Sequence, residues 1–184
     1  GKNLLVLTVG APSVFEGDDP FGLTDRPPGM AHACLSARGV VSFSHGVVWP
    51  SGEGLAYYGE RGQAILTENI LTPEQWRALA PSTMVAGRWG RFYVCSYNDG
   101  AGLKGFIFDP LNPAGGIVYL TTGFNACHYD ELAEQLYVLE GGNVRKFAGG
   151  ATYQAASFTS KQFLQTHPVV YGACKVVARA YPVT

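Results

Sequence analysis

Short runs rich in Tyr, Phe and Val, each cut by a glycine-containing turn, recur from Gly39 onward. Gly39-Val-Val-Ser-Phe-Ser, Gly54-Leu-Ala-Tyr-Tyr-Gly, Arg91-Phe-Tyr-Val-Cys-Ser-Tyr, Gly105-Phe-Ile-Phe-Asp, Gly116-Ile-Val-Tyr-Leu, Gln135-Leu-Tyr-Val-Leu-Glu and Asn143-Val-Arg-Lys-Phe have the residue types and flanking breakers of β-strands. Strands this short, spaced this regularly, pair with their sequence neighbours. The cadence therefore predicts an all-β chain: an antiparallel meander of blade-like sheets, a partial or incomplete β-propeller, over residues 31–184. Residues 1–30 differ in kind. A strand-like Asn3-Leu-Leu-Val-Leu-Thr-Val is followed by a Pro- and Asp-rich stretch from Glu16 to Gly29, which reads as a loop.

One segment breaks the β cadence. In Thr72-Pro-Glu-Gln-Trp-Arg-Ala-Leu-Ala-Pro, Thr72 suits an N-cap, Pro73 the first helical position, and Gln75 completes a capping-box spacing. Trp76 and Leu79 fall on one face and Pro81 ends the run, so one short helix is expected near 73–80. A weak internal repeat supports the blade reading. The segment from Gly54 to Leu66 resembles that from Gln135 to Phe147, with Gly90 to Phe108 a longer variant turning at Asp99-Gly100, on the roughly forty-residue scale of a propeller blade. The Gly-His and Trp-Asp signature and the Asp-box are missing.

Composition bounds the function. The 184 residues are 47% hydrophobic and only 15% charged, so a large covered surface is expected. A net charge of -1 gives no electrostatic footprint for nucleic acid or anionic membrane, so no sequence-specific nucleic-acid binding is expected. Apolar runs such as Leu4 to Val9 are too short for a membrane span. No charged n-region followed by an apolar h-region marks secretion, and the start at Gly1 inside a strand suggests a processed or partial product. Cys34, Cys95, Cys127 and Cys174 lie far apart in apolar stretches, which favours free core thiols over metal ligands or disulfides.

Candidate chemistry is sparse. Glu16, Asp18, Asp19 and Asp25 cluster oxygen ligands in a loop but lack EF-hand spacing, and solvated carboxylates explain them more simply. His128 beside Asp130 and Glu131 fits a strand-end hydrogen bond better than a general base; His32, His45 and His167 are scattered. No nucleophile elbow, His-Glu-x-x-His helix or P-loop occurs. The pairs Gly115-Gly116, Gly141-Gly142 and Gly149-Gly150 belong at turns. No catalytic residues, metal or cofactor are expected. Among the strand aromatics, Trp49, Tyr57 and Tyr58 are the candidates for contact with a partner or a glycan, against a default role in core packing.

Several ordered segments carry a resemblance. They are Leu7-Thr-Val-Gly-Ala-Pro, Ala31-His-Ala-Cys-Leu-Ser-Ala-Arg-Gly-Val-Val, Pro50-Ser-Gly-Glu-Gly-Leu, Leu71-Thr-Pro-Glu-Gln-Trp-Arg-Ala-Leu-Ala-Pro-Ser, Gly105-Phe-Ile-Phe-Asp-Pro, the stretch from His128 to Phe147, and Thr159-Ser-Lys-Gln-Phe. In this order they resemble a family of virion structural proteins of tailed bacteriophages and, more distantly, the propeller-bearing nozzle and DNA-stabilisation proteins of phage tails. Members of that family are several times longer than this chain. The resemblance implies a non-enzymatic component of the tail or neck, assembled in the host cytoplasm as a homo-oligomer with other phage tail or neck proteins. The near-neutral charge suits a wall beside a DNA passage, where a Lys- or Arg-lined surface would hold phosphates. A glycan-binding or glycan-cleaving propeller used in host-receptor recognition is the alternative from another class.

Overall fold

A computed structural model of the chain describes residues 2–17, 19, 21–26, 29, 32–60, 62–151 and 156–157. Residues 1–150 form one compact unit and 151–184 a second. All strands named here belong to the first unit; Asp18, His167, Cys174 and the Thr159-Ser-Lys-Gln-Phe segment lie outside the described residues.

Among the described residues the unit is all-β, with four antiparallel sheets and one α-helix. β1 (Lys2–Val6), β2 (Ser13–Gly17) and β3 (Thr24–Arg26) make the first sheet. β4 (Val41–Phe43), β5 (Gly46–Pro50), β6 (Leu55–Gly59) and β7 (Gly62–Ile65) make the second. The helix α1 (Pro73–Ala78) follows, and then the third sheet: β8 (Val85–Trp89), β9 (Phe92–Asn98), β10 (Leu103–Phe108) and β11 (Ile117–Leu120). β12 (Ala126–Asp130), β13 (Gln135–Glu140) and β14 (Asn143–Lys146) make the fourth. Each sheet is an up-and-down meander in chain order. Where a turn is tightest, glycine supplies it: Glu140 pairs with Asn143, and Gly141 and Gly142 between them have φ of 56° and 81°, the two positive values a type I′ hairpin needs.

Side-chain alternation turns these sheets into a stack. In β6, Leu55 and Tyr57 join Tyr93, Cys95, Tyr97, Phe106 and Phe108 of the third sheet in the largest core cluster. The alternate residues Ala56 and Tyr58 pack with Trp49 and with Leu5 and Leu7 of the N-terminal segment. In β9 the alternation repeats: Val94 faces the other way, onto Leu136 and Val138 of the fourth sheet. Both middle sheets are thus covered on both faces, and the four lie in the order of the chain. Full burial of a large apolar side chain contributes roughly 1.5–3 kcal/mol, so these inter-sheet layers carry most of the stability. The first strands of successive sheets touch as well, β4 against β8 and β8 against β12. That is the layout of an open, incomplete propeller, with the inner strands gathered on one side.

The helix forms as its sequence requires. Thr72 Oγ1 accepts from the Gln75 backbone N–H at 3.3 Å, and Gln75 Oε1 accepts from the Thr72 N–H at 2.9 Å, the reciprocal capping box. Trp76 is buried, and its indole N–H donates to Ser51 O at 2.8 Å, anchoring the helix to the second sheet. After Ala80, held at φ 48°, Pro81 opens a 3-10 turn and the α-helix does not resume.

Two expectations need correction. The stretch from Glu16 to Gly29, read as loop, contains the end of β2 and all of β3. β3 is a three-residue edge strand of polar residues, so its pairing with β2 comes from tertiary context, with no apolar alternation to announce it. The compared repeat segments also occupy different places. Gly54 to Leu66 spans β6 and β7, the third and fourth strands of their sheet, whereas Gln135 to Phe147 spans β13 and β14, the second and third. The repeat that the structure contains is counted from the inner strands, which open at Val41, Val85 and Ala126, about forty residues apart.

Candidate functional site

Where the inner strands converge, they leave a cleft of about 250 Å³, lined by Val41 and Ser42 of β4, Ala86 to Arg88 of β8, and Cys127 to Tyr129 of β12. The segment just before β4 ties its three walls together. Ser36 Oγ donates to Met84 O at 2.6 Å, Gly39 O accepts from the Tyr93 hydroxyl at 2.8 Å, and Arg38 donates to Asn125 O. A second link, Phe124 N–H to Ser96 Oγ at 2.8 Å, joins the third and fourth sheets. Each of these bonds crosses between meanders, so the cleft is framed by segments tied to one another.

Its electrostatics follow from two guanidiniums. Arg88 lies over the Tyr129 ring, 4.4 Å from the centroid, a cation–π contact that holds the charge at the cleft wall. Arg38 reaches the same region and opposes, without overcoming, the burial that raises the Cys127 thiol to about 11. At neutral pH Cys127 is therefore protonated and a poor nucleophile. Burial likewise raises Cys95 and the Tyr93 hydroxyl well above their ordinary values. The chemistry on offer is the binding of a small anionic or planar group by charge and ring. The lining itself carries one guanidinium, Arg88, and one carboxylate, Glu131.

The sequence-predicted contact residues lie elsewhere. Trp49 is 0% exposed between the first and second sheets, its indole N–H donating to His32 O at 3.1 Å. Tyr57 is 3% exposed in the large core and its hydroxyl donates to His45 O. Tyr58 is half-buried beside Trp49. All three do packing work, and neither Trp49 nor Tyr57 has a ring face left for a sugar. A broader depression of about 770 Å³ is lined by His32, Gly52, Glu53, Ile65, Glu68, Pro73 and Arg77, with His32 Nδ1 3.4 Å from Glu53 Oε2. Among the described residues that line it there is no Trp or Tyr of the kind sugar stacking uses.

The loop carboxylates do not converge: Glu16 lies in β2, Asp25 in β3 and Asp19 in the turn between them, where its carboxylate accepts from the Phe21 N–H. No group of three or more His, Cys, Asp or Glu suited to a metal occurs among the described residues. The Asp130 carboxylate, on the same strand face as His128, accepts from the N–H groups of Leu132 and Ala133 and so shapes a turn. Cys34, Cys95 and Cys127 are free thiols. Among the described residues no helix is long and apolar enough to cross a membrane.

Sequence reasoning missed Arg38 and Arg88. Arg38 lies in the Ala31 to Val41 segment without being singled out there; for Arg88 the usable signal was an arginine in a short strand rich in small residues, Val-Ala-Gly-Arg-Trp, where a neighbouring sheet has to approach closely. No protein-family model matches the chain, and no curated protein matches it.

Proposed function

We propose that this chain is a structural component of a tailed-phage virion, in the tail or neck, acting as a rigid oligomeric platform or conduit wall with other virion proteins. The observation that supports it best is the continuous stack of four sheets, whose three buried layers join the N-terminal segment to β12 and β13 through aromatic and aliphatic contacts. Such a stack resists deformation, because close-packed interiors transmit strain instead of absorbing it. The ordered sequence segments that resemble phage virion proteins supply the biological setting. The inner cleft serves this role as a joint: Arg38, Ser36 and Gly39 bind three sheets to one short turn. Its guanidiniums sit at hydrogen-bonded or ring-stacked positions and need no substrate to account for them.

The test is localisation. Gradient-purified particles of the encoding phage are analysed by peptide mass spectrometry and imaged with a label on this chain. The expected result is a fixed stoichiometry and density at one level of the tail or neck. Absence from intact particles would overturn the proposal.

A further inference from the structure

The inner cleft is walled by three strand edges. β4, β8 and β12 are each the terminal strand of their sheet, and among the described residues no backbone hydrogen bond joins β4 to β8 or β8 to β12. In a terminal antiparallel strand every second residue turns its N–H and C=O away from the sheet. The edges that line the cleft therefore bring backbone donors to it, and sheet edges of this kind make concavities suited to anions.

Arg88 adds the charge. Arg77, Arg91 and Arg145 each pair with a carboxylate, and Arg38 donates to Asn125 O. Half-buried Arg88 has neither kind of partner among the described residues; its one contact is the Tyr129 ring. A ring takes the face of a guanidinium, whereas hydrogen bonds form at its edge, so the ring explains where Arg88 sits and leaves its N–H fork open. Glu131 also lines the cleft without pairing to it. That single fixed carboxylate repels a dianion more than a monoanion, and Val40, Val41 and Ala86 supply apolar lining. At about 250 Å³ the cleft falls just below the roughly 300–1,000 Å³ of pockets for drug-sized ligands, room for about ten non-hydrogen atoms. We infer that the cleft binds a small monocarboxylate, its carboxylate in the Arg88 fork and its short apolar body against Val40, Val41 and Ala86. One charge-assisted fork in a half-open site corresponds to a dissociation constant on the order of 1 mM. The inference goes beyond the mechanical role proposed above and is read on the free chain, so either can fail alone.

The full 184-residue chain is titrated with sodium benzoate to about 20 mM at constant ionic strength, well past that affinity, and followed by heteronuclear NMR of its backbone and arginine N–H groups. Saturable shifts are expected at Gly87, Arg88 and Cys127, and none with benzamide, which keeps the shape and lacks the charge. Arg88→Gln weakens binding at least about tenfold, Arg88→Lys, a charge without the fork, weakens it by less, and Glu131→Gln tightens it about twofold. Circular dichroism checks that each variant is folded; if Arg88→Gln is not, the other two carry the test. Benzoate also slows alkylation of Cys127, which lines the cleft, and leaves that of Cys34, in the layer beneath the first sheet, unchanged. The inference is overturned by the lack of a saturable shift, by benzamide or inorganic phosphate binding as tightly as benzoate, or by folded Arg88 variants that bind like wild type.

Discussion

Gly87 is a point at which the third and fourth sheets approach closely, and giving it a side chain tests whether that approach is a requirement. A Cβ built there meets Leu136 Cδ1 at 2.7 Å and Cys127 Sγ at 3.0 Å. Carbon atoms pack best near 3.5–4.0 Å, so Gly87→Ala forces the sheets apart by about 1 Å or drives fully buried Leu136 out of its rotamer. Overpacking of this kind costs about 1–3 kcal/mol, and the stiffer unfolded chain returns about 0.4–1. The net expectation is a loss of about 0.5–2 kcal/mol, which at a urea dependence of roughly 1–3 kcal/mol per molar lowers the unfolding midpoint by about 0.2–2 M. Leu136→Ala removes the opposing methyl groups. Alone it costs about 2–5 kcal/mol, but combined with Gly87→Ala it adds less than the sum, with a coupling of about 1 kcal/mol. Gly52→Ala, where nothing lies within 4 Å, leaves the midpoint within a few tenths of a molar and is the control. A midpoint for Gly87→Ala at or above wild type, or strict additivity with Leu136→Ala, would refute the argument.

Other outcomes follow from the same contacts. Thr72→Ala removes the side-chain cap of α1 and is expected to cost about 0.5–2 kcal/mol in urea unfolding, more than Gln75→Ala. Trp49→Ala is expected to destabilise by about 3–5 kcal/mol, since the indole fills the layer between the first and second sheets; a variant of wild-type stability that lost only a binding activity would contradict that placement. For Cys127, the folded thiol ionises near 11 against an ordinary value of 9.0. Peptide-resolved alkylation should show a high-pH inflection in the native chain and one near 9.0 in urea. The sign is set by linkage: the raised value favours folding in full below about pH 9, and that share is lost as pH rises toward 11.

The strands that carried the sequence signal are those rich in large aromatic and β-branched residues. β6, β9, β10, β11, β13 and β14 were legible because Tyr, Phe, Val and Ile alternate there between glycine turns. The inner strands β8 and β12 were not, for a steric reason. Where sheets converge the space narrows, so Ala86, Gly87 and Ala126 replace the β-branched residues that would have announced a strand. The same crowding hid the candidate cleft, whose walls those strands provide. α1 was readable to the detail of its capping box because its signals are local. Trp49 and Tyr57 show the converse limit: residue type marks an aromatic as valuable, but only the stacking of sheets decides whether its ring faces water or another sheet.

Because the sheets follow one another in space as they do along the chain, each buried layer joins segments that leave the ribosome in succession. A newly made meander lands on the one completed just before it, without waiting for a distant partner, and vectorial folding suits such a molecule. The hazard is interruption: a chain stopped after β11 would present Val85, Val94 and Ile107 to solvent, a sticky surface that β12 and β13 conceal.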